Sequence, residues 1–473
     1  MGEFFVPMSL VTATDSYKAS HAQQLPPGTT RVYSFFESRG GVHAETTFFG
    51  LQYYLKRYFE GRVVSQHNIN EAIEFWKAHF GTDKVFAPTA RGWQHIVDRH
   101  GGRLPVEICA VPEGTTVPTR NVLMTIENTD PAVPWLTNHL ETILSMVWYP
   151  MTVATQSRAM RKLLLASLER TGDPSLIDFK LHDFGFRGST SIESAGIGGA
   201  AHLVNFKGTD TTAALMMLHK YYGEPMAGFS VPASEHSTIT SWGREHEVDA
   251  YRNILEQFPD GLVACVSDSY NIFEACRSLW GGALRDRVLA RDGCLVVRPD
   301  SGEPTQVVPQ VLALLGERFG FSVNAKGFKV LDPHVRVIQG DGIDHDMLRA
   351  VLAAIEATAW SADNIAFGSG GGLLQKVNRD TQKCAIKCSA AEINGEWVDV
   401  MKDPITDPGK KSKAGRLALR RVNGQLVTER ASAGPTAALY MREHDLLEPV
   451  FRNGEVLRTQ TFADIRRRAL LDG

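Results

Sequence analysis

The shortages in this sequence exclude more than its abundances suggest. Only 6 of 473 residues are cysteine, and none forms a C-x-x-C pair. Cys384 and Cys388 stand four apart with no companion His or Cys cluster. A disulfide framework or a structural zinc site needs more ligands than that, so free thiols in a reducing cytosol are expected. Long hydrophobic runs are missing too. The best stretch, 140–155, is broken by Glu141 and Pro150 and followed by Gln156, short of the ~18 apolar residues that span a bilayer. Met1 to Leu10 carries Glu3 and no basic segment, unlike a secretory signal. A cytoplasmic protein with no membrane partner is the expectation.

An excess of one charge is also lacking. Fifty Lys+Arg face 53 Asp+Glu, a net charge of -3. A chain with no basic surplus is a poor nucleic-acid binder. With 43% apolar and 22% charged residues it is not disordered either. Its length suits two domains, or one barrel with an appendage.

One pattern recurs from about 177 to 372: an apolar run, a polar or Gly-rich turn, then an amphipathic stretch. Strands are expected near 178–183, 204–208, 227–231, 262–267, 294–298, 335–339 and 364–368. Helical periodicity covers 210–222, 270–280, 304–317 and 344–358, with Pro309 weakening the third. Alternating β and α elements predict a parallel sheet, and seven units fit an α/β, irregular TIM-like (β/α) barrel over 151–382. The flanks, 1–150 and 383–473, are expected to form a second, β-rich or mixed domain. Alternating runs at 28–64 and 103–128 point that way, as do hairpin turns at Asn394-Gly395 and Asn423-Gly424. Helices are expected at 69–79, 135–149 and 152–170.

The expected strand ends carry the chemistry. They read HDFGFRG (182–188), FKGTD (206–210), VPASEHST (231–238), VSDSY (266–270), RPDSGEP (298–304), QGDG (339–342) and FGSGGG (367–372). Strand C-termini converge on one mouth of such a barrel, where catalytic groups gather. The last two turns suit a phosphate held by backbone N–H groups, with Ser369 adding a hydroxyl, or they are only tight connections. Neither is a Walker loop, and GIGG (196–199) lacks the strand that a dinucleotide fingerprint requires. Arg298 and Asp300 read either as ligands for a phosphorylated sugar and a metal, or as a surface pair. His236, beside Glu235, offers a general base or a nucleophile towards phosphorus; His246 reads as a surface residue. Phe184 and Phe186 offer stacking faces or serve the core. An aldolase would need a strand-end Schiff-base lysine, and Lys207, the one candidate, reads better as structural.

These motifs resemble the nicotinate/nicotinamide phosphoribosyltransferase family of class II. The resemblance begins at ATDSYK (13–18), YSFFESR (33–39) and FFGLQYYL (48–55). It runs through AGIGGAAHLVNFKGTDT (195–211), VPASEHSTITSWG (231–243), VSDSYNIFEAC (266–276), VIQGDGID (337–344) and AFGSGGGLLQKVNRD (366–380). It ends in MKDPITDP (401–408) and KSKAGRL (411–417). The resemblance implies transfer of phosphoribosyl from phosphoribosyl pyrophosphate to nicotinamide, giving nicotinamide mononucleotide and pyrophosphate. It also implies Mg²⁺, ATP hydrolysis coupled through a phosphohistidine, and a homodimer with shared active sites.

Carried over by position, His236 would be phosphorylated with Glu235 assisting. Phe184 and the partner subunit's Tyr17 would sandwich the pyridine ring. Asp15 and Ser230 join the substrate site. Arg187 and Arg298 would contact the pyridine or ribose phosphate. Asp268 and Asp300 would serve the ribose, metal or charge-stabilising side. Gly340, Asp341, Gly370, Gly371 and Arg379 would hold the ribose and its phosphate. Lys387, Lys402 and Lys410 would meet pyrophosphate or ATP. No metal ligand is assigned. Asp210 matches the nicotinamide-selecting position, because a carboxylate accepts from a carboxamide –NH₂ and repels the carboxylate of nicotinic acid. Phe186 departs from the tyrosine common in the family. The alternatives are a nicotinate phosphoribosyltransferase and a non-catalytic binding or signalling protein on the same fold.

Overall fold

A computed structural model describes residues 8–406, 412–431 and 444–470. The chain divides into two compact units, one of Met1–Thr155, Tyr221–Gly223 and Asn378–Gly473, the other of Gln156–Lys220 and Glu224–Val377.

The second unit is a mixed α/β body around a six-stranded parallel sheet. Its strands run in the spatial order Gly208–Thr209, Leu181–Asp183, Ile365–Ser369, Val335–Gln339, Asp292–Arg298 and Asp260–Val266. Every adjacent pair is parallel. Leu181, Val263, Leu295, Val297, Val335, Val337, Ile365 and Phe367 are buried, as expected of strands covered on both faces.

Two expected strands are corrected. The 204–208 run shrinks to Gly208–Thr209 because the Ile192–Leu203 helix extends almost to it. The 227–231 run forms only isolated bridges, Gly208 with Phe229 and Ala233 with Ala264. Pro232 has no N–H to continue a ladder, yet its carbonyl accepts from Ala264 N–H at 2.9 Å, and Phe229 N–H donates to Lys207 O at 2.7 Å. This segment therefore hydrogen-bonds to both edge strands of the sheet.

The helices follow the periodicity. Pro304–Phe319 continues through Pro309, because Val308, Val311, Leu312, Leu315 and Phe319 form a buried stripe that outweighs one lost backbone bond. The 270–280 stretch is Ile272–Glu274 followed by a π-helical segment, Ala275–Ala283. GIGG lies inside the Ile192–Leu203 helix, which starts at a Ser191–Ser194 capping box.

The first unit holds a seven-stranded antiparallel sheet drawn from both ends of the chain. Its order is Glu396–Asp399, Cys384–Ile393, Thr29–Ser38, Val122–Asn128, Val106–Ala110, Glu448–Arg452, Glu455–Val456. Asn394-Gly395 and Asn423-Gly424 turn the expected hairpins, with both residues of each pair at positive φ. The β-rich reading of 28–64 fails at Leu51–Phe59, which is helical, with Leu51, Tyr53, Tyr54, Leu55 and Phe59 buried. Ala87–His100 is a helix that sequence reading missed. Pro88 pre-sets its first turn, and Gly92 lets it approach Trp135, whose ring would lie 2.7 Å from a Cβ there. The helices expected at 135–149 and 152–170 divide instead into Leu136–Ser145 and Trp148–Thr171. Among the described residues no helix is long and apolar enough to cross a membrane.

Lys180 anchors the short 181–183 strand. Its wholly enclosed ammonium donates to the carbonyls of Ala362 at 2.8 Å, Ile365 at 3.0 Å and Asp363 at 3.1 Å. Burial pushes this lysine down to about 7. Lys180→Met would leave three carbonyls without their donor, and buried unsatisfied acceptors are costly. The expected result is a loss of roughly 2–4 kcal/mol in the unfolding free energy, measured by urea denaturation at pH 6.

Candidate functional site

Within the second unit, the strand ends bring several of the expected residues together. Asp183 closes its strand and is fully buried. Its Oδ1 accepts from Gly185 N–H at 2.7 Å, and its carbonyl accepts from Asp210 N–H at 2.9 Å. Phe184 N–H donates to Ser369 O at 3.0 Å. That turn lays the Phe184 ring across the next two strand ends. A Cβ at Gly340 would lie 3.1 Å from the ring, and one at Gly368 would overlap it. The same position over Gly340 lies 3.7 Å from Asp300 Oδ1, so Phe184, Gly340 and Asp300 share one spot.

Arg298 donates through NH2 to Asp300 Oδ2 at 3.2 Å. Its Nε is buried and has no hydrogen-bond partner, a donor suited to an anion. Asp210 Oδ1 accepts from Ser230 Oγ at 2.5 Å. Both are exposed, leaving Asp210 Oδ2 open. Arg187 is exposed on the Phe186–Gly188 turn.

His236 opens the short His236–Thr240 helix, and its Nε2 lies 3.1 Å from Asp268 Oδ1. The imidazole is half exposed while the Asp268 side chain is 2% exposed. The Glu235 carboxylate accepts from the Ser237 hydroxyl. The group at hydrogen-bond distance from the ring is therefore Asp268, one strand over. Ser267 N–H, next to it, donates to Arg298 O at 3.0 Å.

The two Gly-rich turns are linked to each other. Ser369 Oγ donates to Ile343 O at 2.6 Å and is buried, so its proton is committed to the protein and not offered to a phosphate. Asp341 is exposed and its carbonyl accepts from Gln339 Nε2 at 3.0 Å. Gly370 packs on the Phe184 carbonyl, whereas Gly371 faces open space.

The remaining expected residues lie in the first unit. Asp15 precedes the Ser16–Gln23 helical turn and accepts from Thr142 Oγ1 at 2.7 Å. Tyr17 is 61% exposed. Lys387 is held below the usual lysine range, first by burial. Glu141 opposes that shift, while Lys402, Arg39 and Arg379 push it further down. Arg379, Lys387 and Lys402 thus share a cationic field with Arg39, which sequence reading missed although it closes the YSFFESR motif. Asp183 was missed too. Lys410 lies outside the described residues.

Lys207 Nζ pairs with Asp178 at 2.9 Å, a structural role. His95, His100 and Asp130 are the cluster with metal-ligand composition among the described residues. Both imidazoles approach one oxygen, Asp130 Oδ2, at 2.8 and 2.6 Å; these are hydrogen-bond distances, and they help hold Asp130 down to about 2.

The chain matches the nicotinate phosphoribosyltransferase (NAPRTase) family over residues 179–454 and the nicotinamide phosphoribosyltransferase N-terminal domain over residues 9–108. It is 53% identical to a nicotinamide phosphoribosyltransferase of Xanthomonas campestris over 465 residues, 98% of each chain. It is 32% identical to one of Acinetobacter baylyi, covering 97% of this chain and 96% of that one. Among solved structures it resembles a nicotinate-nucleotide pyrophosphorylase from Pyrococcus furiosus, at TM-score 0.60 and 16% identity, covering 99% and 97%. It also resembles human nicotinic acid phosphoribosyltransferase, at TM-score 0.59 and 16% identity, covering 96% and 92%. At that identity the two structures speak to the fold alone.

Burial raises the Asp183 carboxyl to about 6, with the Gly185 N–H opposing the shift. An acid whose folded value lies above its unfolded value stabilises the fold below the unfolded value and loses that contribution as pH rises through the folded one. Asp183→Asn has no such loss. The variant should therefore gain stability relative to the parent between pH 4 and 7.5, by on the order of 2–3 kcal/mol. Paired thermal melts across that range measure it.

Proposed function

The chain belongs to the nicotinate phosphoribosyltransferase family, and from that premise we propose that it transfers phosphoribosyl from phosphoribosyl pyrophosphate to nicotinamide in NAD salvage. The observation that carries the choice of base is Asp210, tied by its own N–H to the strand end that bears Phe184. The pyridine ring stacks on Phe184. Its carboxamide N–H donates to Asp210 Oδ2, an oxygen that would repel the carboxylate of nicotinic acid. The family name and the relatives' names differ on the base, and this carboxylate favours nicotinamide.

In the reaction the pyridine nitrogen lone pair forms the bond to C1 of the ribose. The C1–O bond breaks, and its electron pair leaves with pyrophosphate. No general base is needed. The sugar passes through an oxocarbenium-like state, which Asp300 stabilises from beside Gly340. Arg298, with its unpaired Nε, Arg187, and the backbone of Gly340, Asp341, Gly370 and Gly371 take the ribose and its phosphate. In the first unit, Arg379, Lys387 and Lys402, joined by Arg39, suit pyrophosphate, and Lys410 is assigned with them from its motif. Mg²⁺ fits the available donors, since Asp300 keeps Oδ1 outside its Arg298 pair and hard cations take carboxylate plus substrate phosphate oxygens. When bound it would neutralise the leaving group.

ATP coupling goes through His236. Asp268 accepts from Nε2–H, so Nδ1 carries the lone pair. Nδ1 attacks the γ-phosphorus, the β–γ P–O bond breaks and ADP leaves. Asp268 supports the charge on the ring. Glu235 assists through the Ser237 contact that fixes the turn. A homodimer completes the reading: Asp15, held by Thr142, precedes the turn that carries the exposed Tyr17, which would be the second stacking face, given to the partner. The bridges from 229–233 to both sheet edges support an irregular closed barrel. The β-rich flanks form the companion domain in this reading. Six unpaired cysteines suit a cytoplasmic setting.

Steady-state rates with each base test the specificity. Nicotinamide should be preferred over nicotinate, and Asp210→Asn should shrink that ratio by about tenfold or more. An unchanged ratio removes Asp210 from base selection. γ-Labelled ATP should leave an acid-labile, base-stable phosphate on the parent chain and none on His236→Ala; no label on the parent removes the coupling.

A further inference from the structure

We infer that Asp183 is the positioning residue of the base pocket: its buried carboxyl group fixes the turn that aims Phe184, and its main-chain carbonyl holds the backbone of Asp210 beside that turn. The inference rests on the nicotinamide reading for what the pocket holds, but the placement of the two side chains is a property of the fold.

Three bonds define the arrangement. Asp183 Oδ1 takes the buried Gly185 N–H at 2.7 Å, which turns the chain sharply after the strand. Phe184 N–H is then held on Ser369 O at 3.0 Å, and Asp210 N–H on the Asp183 carbonyl at 2.9 Å. With the turn so fixed, the Phe184 ring lies over Gly368, where a side chain would overlap it, and close to Gly340, where a Cβ would be a tight 3.1 Å away. The other carboxyl oxygen makes no full hydrogen bond, although the Thr211 hydroxyl stands near enough to favour its ionised form. It faces Gly199, where a Cβ would lie 2.9 Å from it, 2.8 Å from Ala214 Cβ and 3.0 Å from Thr211 Cγ2. That side is sealed, so Oδ2 reaches neither solvent nor substrate.

An enclosed carboxyl group with one hydrogen bond is costly to keep. An apolar residue would fill the volume without that cost, but it would leave the Gly185 N–H orphaned and the turn free to relax. The feature that specifically requires an acceptor here is the direction of Phe184. Because the same residue's carbonyl holds Asp210, a shift of the turn moves the stacking face and the amide acceptor together. Positioning errors of about an ångström suffice to weaken such a site.

The test compares Asp183→Ala with Asp183→Asn, which retains an Oδ1 acceptor. With nicotinamide, phosphoribosyl pyrophosphate and Mg²⁺, Asp183→Ala should raise KM for nicotinamide by about tenfold and leave KM for phosphoribosyl pyrophosphate within about twofold. Asp183→Asn should restore the nicotinamide KM to within about threefold of the parent. Asp183→Leu, which fills the site and accepts nothing, replaces the Ala variant if that chain does not fold. A lower melting point with both KM values unchanged, an equal rise in both, or an Asn variant no better than Ala would each overturn the inference. If the parent chain does not turn over nicotinamide, the functional reading fails on its own. Crystal structures of the unliganded variants then decide the placement. Phe184 swung off Gly340 and Gly368 in the Ala or Leu variant, but not in Asn, supports it; an unmoved ring in every variant overturns it.

Discussion

The contact on which the second unit depends is the face of Phe184 against the bare backbone at Gly340 and Gly368. Parallel register sets Gly368 opposite His182 and Ser369 opposite Asp183, so the residue after Asp183 has to turn over the neighbouring strand end. A side chain at 368 would overlap the ring. The glycines of these two turns therefore do different work. Gly340 and Gly368 make room for an aromatic side chain, Gly370 packs on the backbone beneath it, and Gly371 faces open space where an anion could approach. The Ser369 hydroxyl, fastened to Ile343 O, keeps the two turns in step.

The 181–183 strand is bounded by two buried ionisable side chains that do not pair with each other. Lys180 gives its protons to three carbonyls at one end, and Asp183 takes an N–H at the other. Each serves backbone groups that would otherwise be unsatisfied inside the protein, where such groups are expensive. A three-residue strand has few ladder bonds of its own, and these side chains supply the missing constraints at both ends. Rigidity at the site arises from polar groups deep in the core as much as from apolar packing.

The strands and their terminal motifs were legible because a parallel strand buried on both faces reads as a short apolar run, and five of the seven appear within a few residues of where they were expected. The failures have physical causes. At 227–231 the apolar run sits beside Pro232, which cannot donate to a ladder, so bridges replace a strand. The Ala87–His100 helix was hidden by Pro88 and Gly92, residues that break helices in the interior but here serve its first turn and its approach to Trp135. The candidate site was legible in its residue types and less so in its pairings. Glu235 adjoins His236 in sequence, yet Asp268 from the next strand reaches the imidazole, because in a parallel sheet neighbours in space come from different units of the repeat. Asp183 escaped notice because nothing in a strand-end Asp distinguishes a buried carboxyl from an exposed one.

The net charge of -3 says little about how the chain handles polyanions, and Lys387 shows why. Burial lowers its proton affinity first, and although Glu141 opposes this, Lys402, Arg39 and Arg379 lower it further. Those like charges repel one another when no anion is present. A bound pyrophosphate would reverse the sign of the field and favour the protonated lysine, so proton uptake and anion binding reinforce each other there. In the second unit the same economy appears in Arg298, whose NH2 is engaged by Asp300 while Nε stays buried and unpaired. Positive charge is held at a few partly desolvated positions, where each interaction with phosphate is stronger than it would be on an open surface. A near-neutral composition is the natural result when opposite charges elsewhere balance a concentrated few.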